Sequence, residues 1–171
     1  MKSKYKMVLL SLIIIIFTCC IVHKQVQNDT FFSIKTGEYI LNQGIDKVEP
    51  FTFHNNLSFV KLRWGFDVLS YFIYKIGGFN FIYYFVLGFS SVISLSLFNI
   101  LKKNKTHEIL SFILTIIIIY SISSFFCMRA QLLSYFIFLF EIYILYKLNN
   151  SNNKKYSILL ILLSILLVNV H

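Results

Sequence analysis

The residues best suited to chemistry lie in one polar stretch of an otherwise apolar chain, Asn28 to Trp64. Five of the seven acidic residues fall in or just after it: Asp29, Glu38, Asp46, Glu49 and Asp67. A carboxylate held at a membrane–water boundary can take a proton from a hydroxyl group. Asp29, at the start of the stretch, is the candidate catalytic group, although the same residue could instead cap a helix.

Two further positions could assist such a carboxylate. Glu49 is a candidate second acid, or a second ligand with Asp29 for a divalent ion. The alternative is a solvated turn before Pro50, where the following proline disfavours helix. Asp67 follows Arg63 by four residues, which favours an exposed ion pair on a helix over a site.

Arg129 is the only charge in a four-residue turn between two apolar runs. A guanidinium binds phosphate oxygens well through its planar fork, but it can equally anchor a helix end at the interface. His171, with Asn169, is expected on the same face, either contacting a phosphate or acceptor or acting as an interfacial cap. Glu141 lies inside an apolar run, where we expect a structural bond between helices.

Composition places the chain in the membrane class. It is 57% hydrophobic and only 13% charged, whereas soluble domains carry about 25% charged residues. The net charge of +9 comes from short lysine clusters between apolar runs, so it predicts contact with membrane lipids and argues against nucleic acid. The three cysteines show no metal-ligand spacing.

The pattern predicts an all-α integral membrane protein with about five transmembrane helices in a single membrane domain. The predicted spans are 7–22, 79–101, 109–126, 131–146 and 156–170. Residues 24–78 form an outer loop with two short interfacial helices, one from residue 28 or 29 to 43 and one from 62 to 76. Gly44 and Gly77-Gly78 are expected to end these helices. The first run could instead be a signal peptide, but no Ala-x-Ala-like site follows it.

Lysine clusters at 2–6, 102–105 and 147–155 orient the chain with a cytoplasmic N-terminus. The prediction is a multi-pass protein of the cell (plasma) membrane, with the polar stretch outside. Because the sequence stops at the end of a span, we expect an N-terminal portion of a longer protein.

The order of several short motifs resembles one bacterial family. The motifs are Asp29-x-Phe31-Phe32-x-Ile34-x-Thr36-Gly37-x-Tyr39-Ile40, then Glu49-Pro50-Phe51-Thr52-Phe53, then Arg129-Ala130-Gln131 and Asn169-Val170-His171. This order is similar to that of the polytopic GT-C-type glycosyltransferases related to protein O-mannosyltransferases.

The resemblance implies transfer of a sugar from a polyprenyl-phosphate donor on the outer membrane face. It places the acid in the first outer loop at Asp29, with Arg129 and His171 near the donor phosphate. The sugar, the acceptor and the need for a divalent metal ion stay open.

A second hypothesis is a non-catalytic polytopic protein, either an inactive remnant or an interaction subunit. Ser33 and Leu62-Arg63-Trp64-Gly65 stand where the family usually has His and His-Glu-Trp-Leu, so a second acid is missing there. A transporter is less favoured, because the spans lack internal Gly/Pro breaks.

Overall fold

The computed structural model describes residues 2–24, 26–45, 50–54, 57–58, 63–103, 106–151 and 153–170. Two candidate site residues, Glu49 and His171, lie outside this part of the chain. The described residues form six α-helices: α1 Lys2–Ile21, α2 Asn28–Gln43, α3 Trp64–Lys103, α4 Glu108–Ile122, α5 Ala130–Asn150 and α6 Lys154–Val170. A short 3-10 turn, Ser123–Phe125, extends α4. The prediction of an all-helical chain is confirmed for these residues.

Within the described residues, three stretches are long and apolar enough to cross a membrane: Trp64–Lys103, Glu108–Phe125 and Ala130–Asn150. The apolar part of α1, Tyr5–Ile21, is shorter. A ~30 Å hydrocarbon core needs about 20 residues of helix, so these three stretches place the chain in the membrane class. The count of five spans stays a prediction.

Helix α3 is broken at Gly77 and Gly78, as the sequence predicted for the end of the second short helix. Gly78 has a positive φ of 64° with ψ of −153°, a backbone conformation that side chains with a Cβ rarely adopt. The break separates a leading segment, 64–76, from a longer apolar segment, 79–103. Gly44 likewise ends α2, with φ of 88° and its N–H donating to the Ile40 carbonyl over 2.9 Å.

Helix α2 packs its small residues, rather than its aromatic ones, against the leading segment of α3. The buried residues of α2 are Thr30, Ser33, Ile34, Thr36, Gly37 and Ile40, whereas Phe31 is 47% exposed. Phe31 and Phe32 of α2 therefore face outward, whereas its buried face combines two isoleucines with small residues. Burying small residues lets two helix backbones approach closely.

The contact between these two helices is tightest at Gly37. A Cβ placed there would lie 2.1 Å from the backbone oxygen of Asp67. Asp67 itself is only 2% exposed, and its Oδ1 lies 3.8 Å from Arg63 Nε. The predicted pairing is confirmed, but its predicted exposure was wrong, because α2 covers this face of α3.

Side-chain hydrogen bonds also join α1 to α3 and α5 to α6. Thr18 of α1 donates to Ser94 of α3 over 2.9 Å, and both side chains are fully buried. Ser164 of α6 donates to Glu141 of α5 over 3.4 Å. The predicted structural role of Glu141, a bond between helices, is confirmed.

Polar contacts gather at the two opposite ends of the bundle. At one end, Glu108 lies 3.6 Å from Lys6 and 4.0 Å from Lys102, which ties α4 to α1 and α3. At the other end, Trp64 Nε1 donates to Asn169 Oδ1 over 3.0 Å. Asn169 thus holds the end of α6 to the start of α3.

Candidate functional site

An ion pair between two distant parts of the chain defines the candidate site. Arg129 Nη2 lies 2.9 Å from Asp29 Oδ2, with the two side chains 31% and 50% exposed. Asp29 lies in the first turn of α2, where the positive end of the helix dipole favours a carboxylate. Arg129 immediately precedes α5, with extended backbone at φ −134° and ψ 155°.

A neighbouring hydrogen bond fixes this geometry. Thr30 Oγ1 donates to the Met128 carbonyl over 3.0 Å, and both residues are buried. Two successive residues of α2 thus contact two successive residues of the 127–129 turn. The turn is narrow, since Arg129 N–H donates to the Cys127 carbonyl over 2.8 Å.

The ion pair forms one wall of an open cleft of about 590 Å³. The cleft lies between the segment that joins α1 to α2 and the turn before α5. Its lining residues are His23, Val26, Gln27, Asn28, Asp29, Ser124, Cys127 and Arg129. A much smaller crevice beside it, lined partly by Lys24, shares His23, Val26 and Cys127.

Groups able to bind an anion outnumber acids in this cleft. Among the described residues, Asp29 is its single acidic lining residue, while Arg129 and His23 also line it and Lys24 lies in the adjoining crevice. Arg129 Nε is buried and has no hydrogen-bond partner among the described residues. An unmet guanidinium N–H is a donor available to an incoming oxygen.

Cys127 also contributes to the cleft wall. It is 7% exposed, and all three cysteines of the described chain are free thiols. Burial raises the pKa of the Cys127 thiol above its ordinary value; the Arg129 charge opposes this shift and the Asp29 charge adds to it. Cys127 is therefore a neutral, weakly nucleophilic thiol at neutral pH.

The structure brings together the two candidate residues that it describes. Asp29 does not cap α2: the N-cap is Gln27, without a side-chain cap bond, and the Asp29 carboxylate reaches Arg129 instead. The Arg129 side chain, for which anchoring a helix end at the membrane interface was the alternative role, contacts Asp29. Asn169 does not line the cleft, since its side chain accepts a hydrogen bond from Trp64.

Sequence reasoning missed five polar lining residues: His23, Gln27, Asn28, Ser124 and Cys127. Only His23 carried a signal, as a titratable residue at the end of the first apolar run. Within the ranges that the structure describes, no group of three His, Cys, Asp or Glu residues could hold a metal ion.

No protein-family model, curated protein or solved structure matches the chain.

Proposed function

We propose that the cleft binds the phosphate of a polyprenyl-phosphate-linked sugar, and that the chain belongs to a GT-C-type glycosyltransferase. Asp29 is the proposed base and Arg129 the proposed phosphate ligand. The observation that carries the proposal is their ion pair. These two residues are 100 positions apart in the sequence and line the same open cleft. The sequence had indicated Asp29 as the proton acceptor and Arg129 as the phosphate ligand of the same reaction.

The reaction transfers a sugar to a hydroxyl group of an acceptor. The hydroxyl oxygen attacks the anomeric carbon, the bond from that carbon to the phosphate oxygen breaks, and the hydroxyl proton passes to Asp29. The departing polyprenyl phosphate takes the bonding electron pair, and a guanidinium beside it stabilises the negative charge. The ionised carboxylate required by the ion pair is also the form that accepts a proton.

The resting pair must rearrange for both residues to act. Arg129 has five N–H donors, and its contact with Asp29 uses Nη2. A phosphate entering the cleft can engage Nε and the remaining amino group, and draw the guanidinium away from the carboxylate. Donor binding would then uncover the base, so Asp29 becomes available only when substrate is present.

The proposed setting is a five-span protein of the plasma membrane with its N-terminus in the cytoplasm. Lys6, Lys102 and Lys103 lie at the end of the bundle opposite the cleft. Positive residues favour the cytoplasmic side, so this distribution supports a cleft that opens outside. Reporter fusions after Val60 and Asn104 would test the orientation.

The test is sugar transfer by membranes that contain the full chain, supplied with a labelled polyprenyl-phosphate sugar. We expect Asp29→Asn to reduce turnover by about 100-fold or more, the usual contribution of a general base. Glu38→Gln is the matched control, since Glu38 is also a carboxylate of α2, paired with Lys35 at 2.7 Å. Equal turnover in the wild-type chain and Asp29→Asn would remove Asp29 from the mechanism.

A second function is supported by the same contact. The Asp29–Arg129 pair and the Thr30–Met128 bond together join α2 to the turn before α5, as they would in a non-catalytic protein whose charges only hold the fold. In that case Asp29→Asn would lower stability, and wild-type membranes would transfer no sugar.

A further inference from the structure

A groove at the basic end of the bundle is separate from the outer cleft. It lies between α3 and α5 and has a volume of about 170 Å³. Its walls are mostly apolar and aromatic: Ile100, Phe136, Leu139 and Phe140, with Ser96 and Asn99 along α3 and with Lys103 and Tyr143 at the polar end. A cavity of about 150 Å³ holds a benzene molecule, so this groove can take a stretch of hydrocarbon chain.

The α5 wall of the groove is a row of aromatic rings. The rings of Phe136 and Phe140 are stacked with centroids 6.5 Å apart, and those of Phe140 and Tyr143 with centroids 6.4 Å apart. Phe140 is 39% exposed, so the row is open along its side. Since α3 and α5 both contain candidate membrane spans, this open side faces the hydrocarbon.

Two ammonium groups converge at the polar end of the groove. Lys103 Nζ lies 4.3 Å from the centre of the Tyr143 ring and 3.3 Å from its hydroxyl oxygen, and Lys147 Nζ lies 5.9 Å from the same ring centre. In the described chain neither ammonium has a carboxylate within ion-pair distance. The nearby Glu108 pairs instead with Lys6 and Lys102.

We propose that this groove binds an anionic phospholipid, with its phosphate at Lys103 and Lys147 and one acyl chain along the Phe136–Phe140 wall. The charge of the site selects the occupant. Two unpaired lysines beside one ring repel each other, and a phosphate between them relieves that repulsion. The Tyr143 hydroxyl can donate to a phosphate oxygen. A zwitterionic headgroup carries a phosphate too, but it would also bring its own cation close to the two lysines, which disfavours it.

The occupant is distinct from the substrate of the proposed reaction. The site is at the opposite end of the bundle from Asp29 and Arg129, so the lipid belongs to the other leaflet. Juxtamembrane lysines attract anionic lipid with roughly 1 kcal/mol each, or about fivefold in affinity for each lysine. The structure thus assigns a structural lipid site that holds α3 against α5.

Native mass spectrometry of the full chain in neutral detergent, titrated with phosphatidylglycerol or phosphatidylcholine, tests this. We expect one phosphatidylglycerol to bind at least tenfold more tightly than phosphatidylcholine. Lys103→Gln with Lys147→Gln should abolish the preference. Lys154→Gln with Lys155→Gln is the matched control, because these exposed lysines lie at the start of α6, outside the groove.

A second variant separates the hydrocarbon contact from the charge. Ser96→Phe places a ring in the groove, so both lipids should bind more weakly while their ratio stays the same. Equal binding of the two lipids to the wild-type chain would overturn the proposal. So would displacement of the lipid by millimolar inorganic phosphate, or an equal loss of preference in the Lys154 and Lys155 variant.

Discussion

The ion pair at the cleft yields a quantitative prediction about stability. Asp29→Asn, Arg129→Gln and the double variant form a thermodynamic cycle that isolates the pair. Exposed ion pairs contribute about 0.2–1 kcal/mol and fully buried ones several kcal/mol when one partner is removed. With side chains 31% and 50% exposed and a separation of 2.9 Å, we expect a coupling of about 1 kcal/mol.

The two single substitutions should differ in cost. Asp29 gains from both the ion pair and the dipole of α2, whereas Arg129 precedes the first turn of α5, where the dipole disfavours a cation. A helix dipole acts on a nearby charge by about 0.3–1 kcal/mol. Asp29→Asn should therefore destabilise the chain more than Arg129→Gln, by about 1 kcal/mol when both dipole effects are combined.

Denaturant unfolding in a fixed detergent, followed by circular dichroism, measures all four chains of the cycle. The Lys35 and Glu38 pair provides a control cycle, since it spans one turn of a single helix and is more exposed at Lys35. We expect a smaller coupling there. A coupling near zero for Asp29 and Arg129, or a larger cost for Arg129→Gln than for Asp29→Asn, would refute the reasoning.

Two further predictions concern close packing and the buried thiol. Gly37→Ala should destabilise the chain by about 1–3 kcal/mol, because its Cβ would overlap the Asp67 backbone oxygen 2.1 Å away; thermal unfolding measures this. Gly88→Ala, where nothing lies within 4 Å, should be neutral or slightly stabilising, and an equal loss at both glycines would contradict the packing argument. Cys127 should be alkylated more slowly than a free thiol at pH 8, with a rate that rises only at higher pH, because its pKa is raised. Arg129→Gln removes a charge that lowers this pKa, so the profile should move further toward high pH; a shift toward low pH would contradict the electrostatic assignment.

The positions of the helices were largely predictable, because long apolar runs and glycine pairs have few structural alternatives. Gly44 and Gly77-Gly78 ended helices where expected. The predicted fourth span, 131–146, lies within α5, which continues to Asn150. The Asn150 side chain donates to the Tyr146 carbonyl over 2.8 Å, and polar residues can prolong a helix beyond the hydrocarbon.

The buried faces were less predictable. For α2 the sequence predicted a short interfacial helix, but not which of its side chains are buried. The structure buries Thr30, Ser33 and Gly37 together with two isoleucines, and it leaves the rings of Phe31 and Phe32 exposed. Hydropathy alone does not identify this buried face, because small polar residues and a glycine lie on it beside the isoleucines.

The candidate site follows from this packing. The orientation of α2 is set two turns away from Asp29, where Gly37 admits the backbone of α3, and beside it, where Thr30 binds the turn at Met128. Neither contact involves a chemically active side chain, yet both decide whether Asp29 and Arg129 meet. A substitution that lifts α2 from α3 would therefore separate the proposed base from the proposed phosphate ligand without changing either one. For this reason a loss of activity in Gly37→Ala would report on geometry, whereas a loss in Asp29→Asn with α2 intact would report on proton transfer.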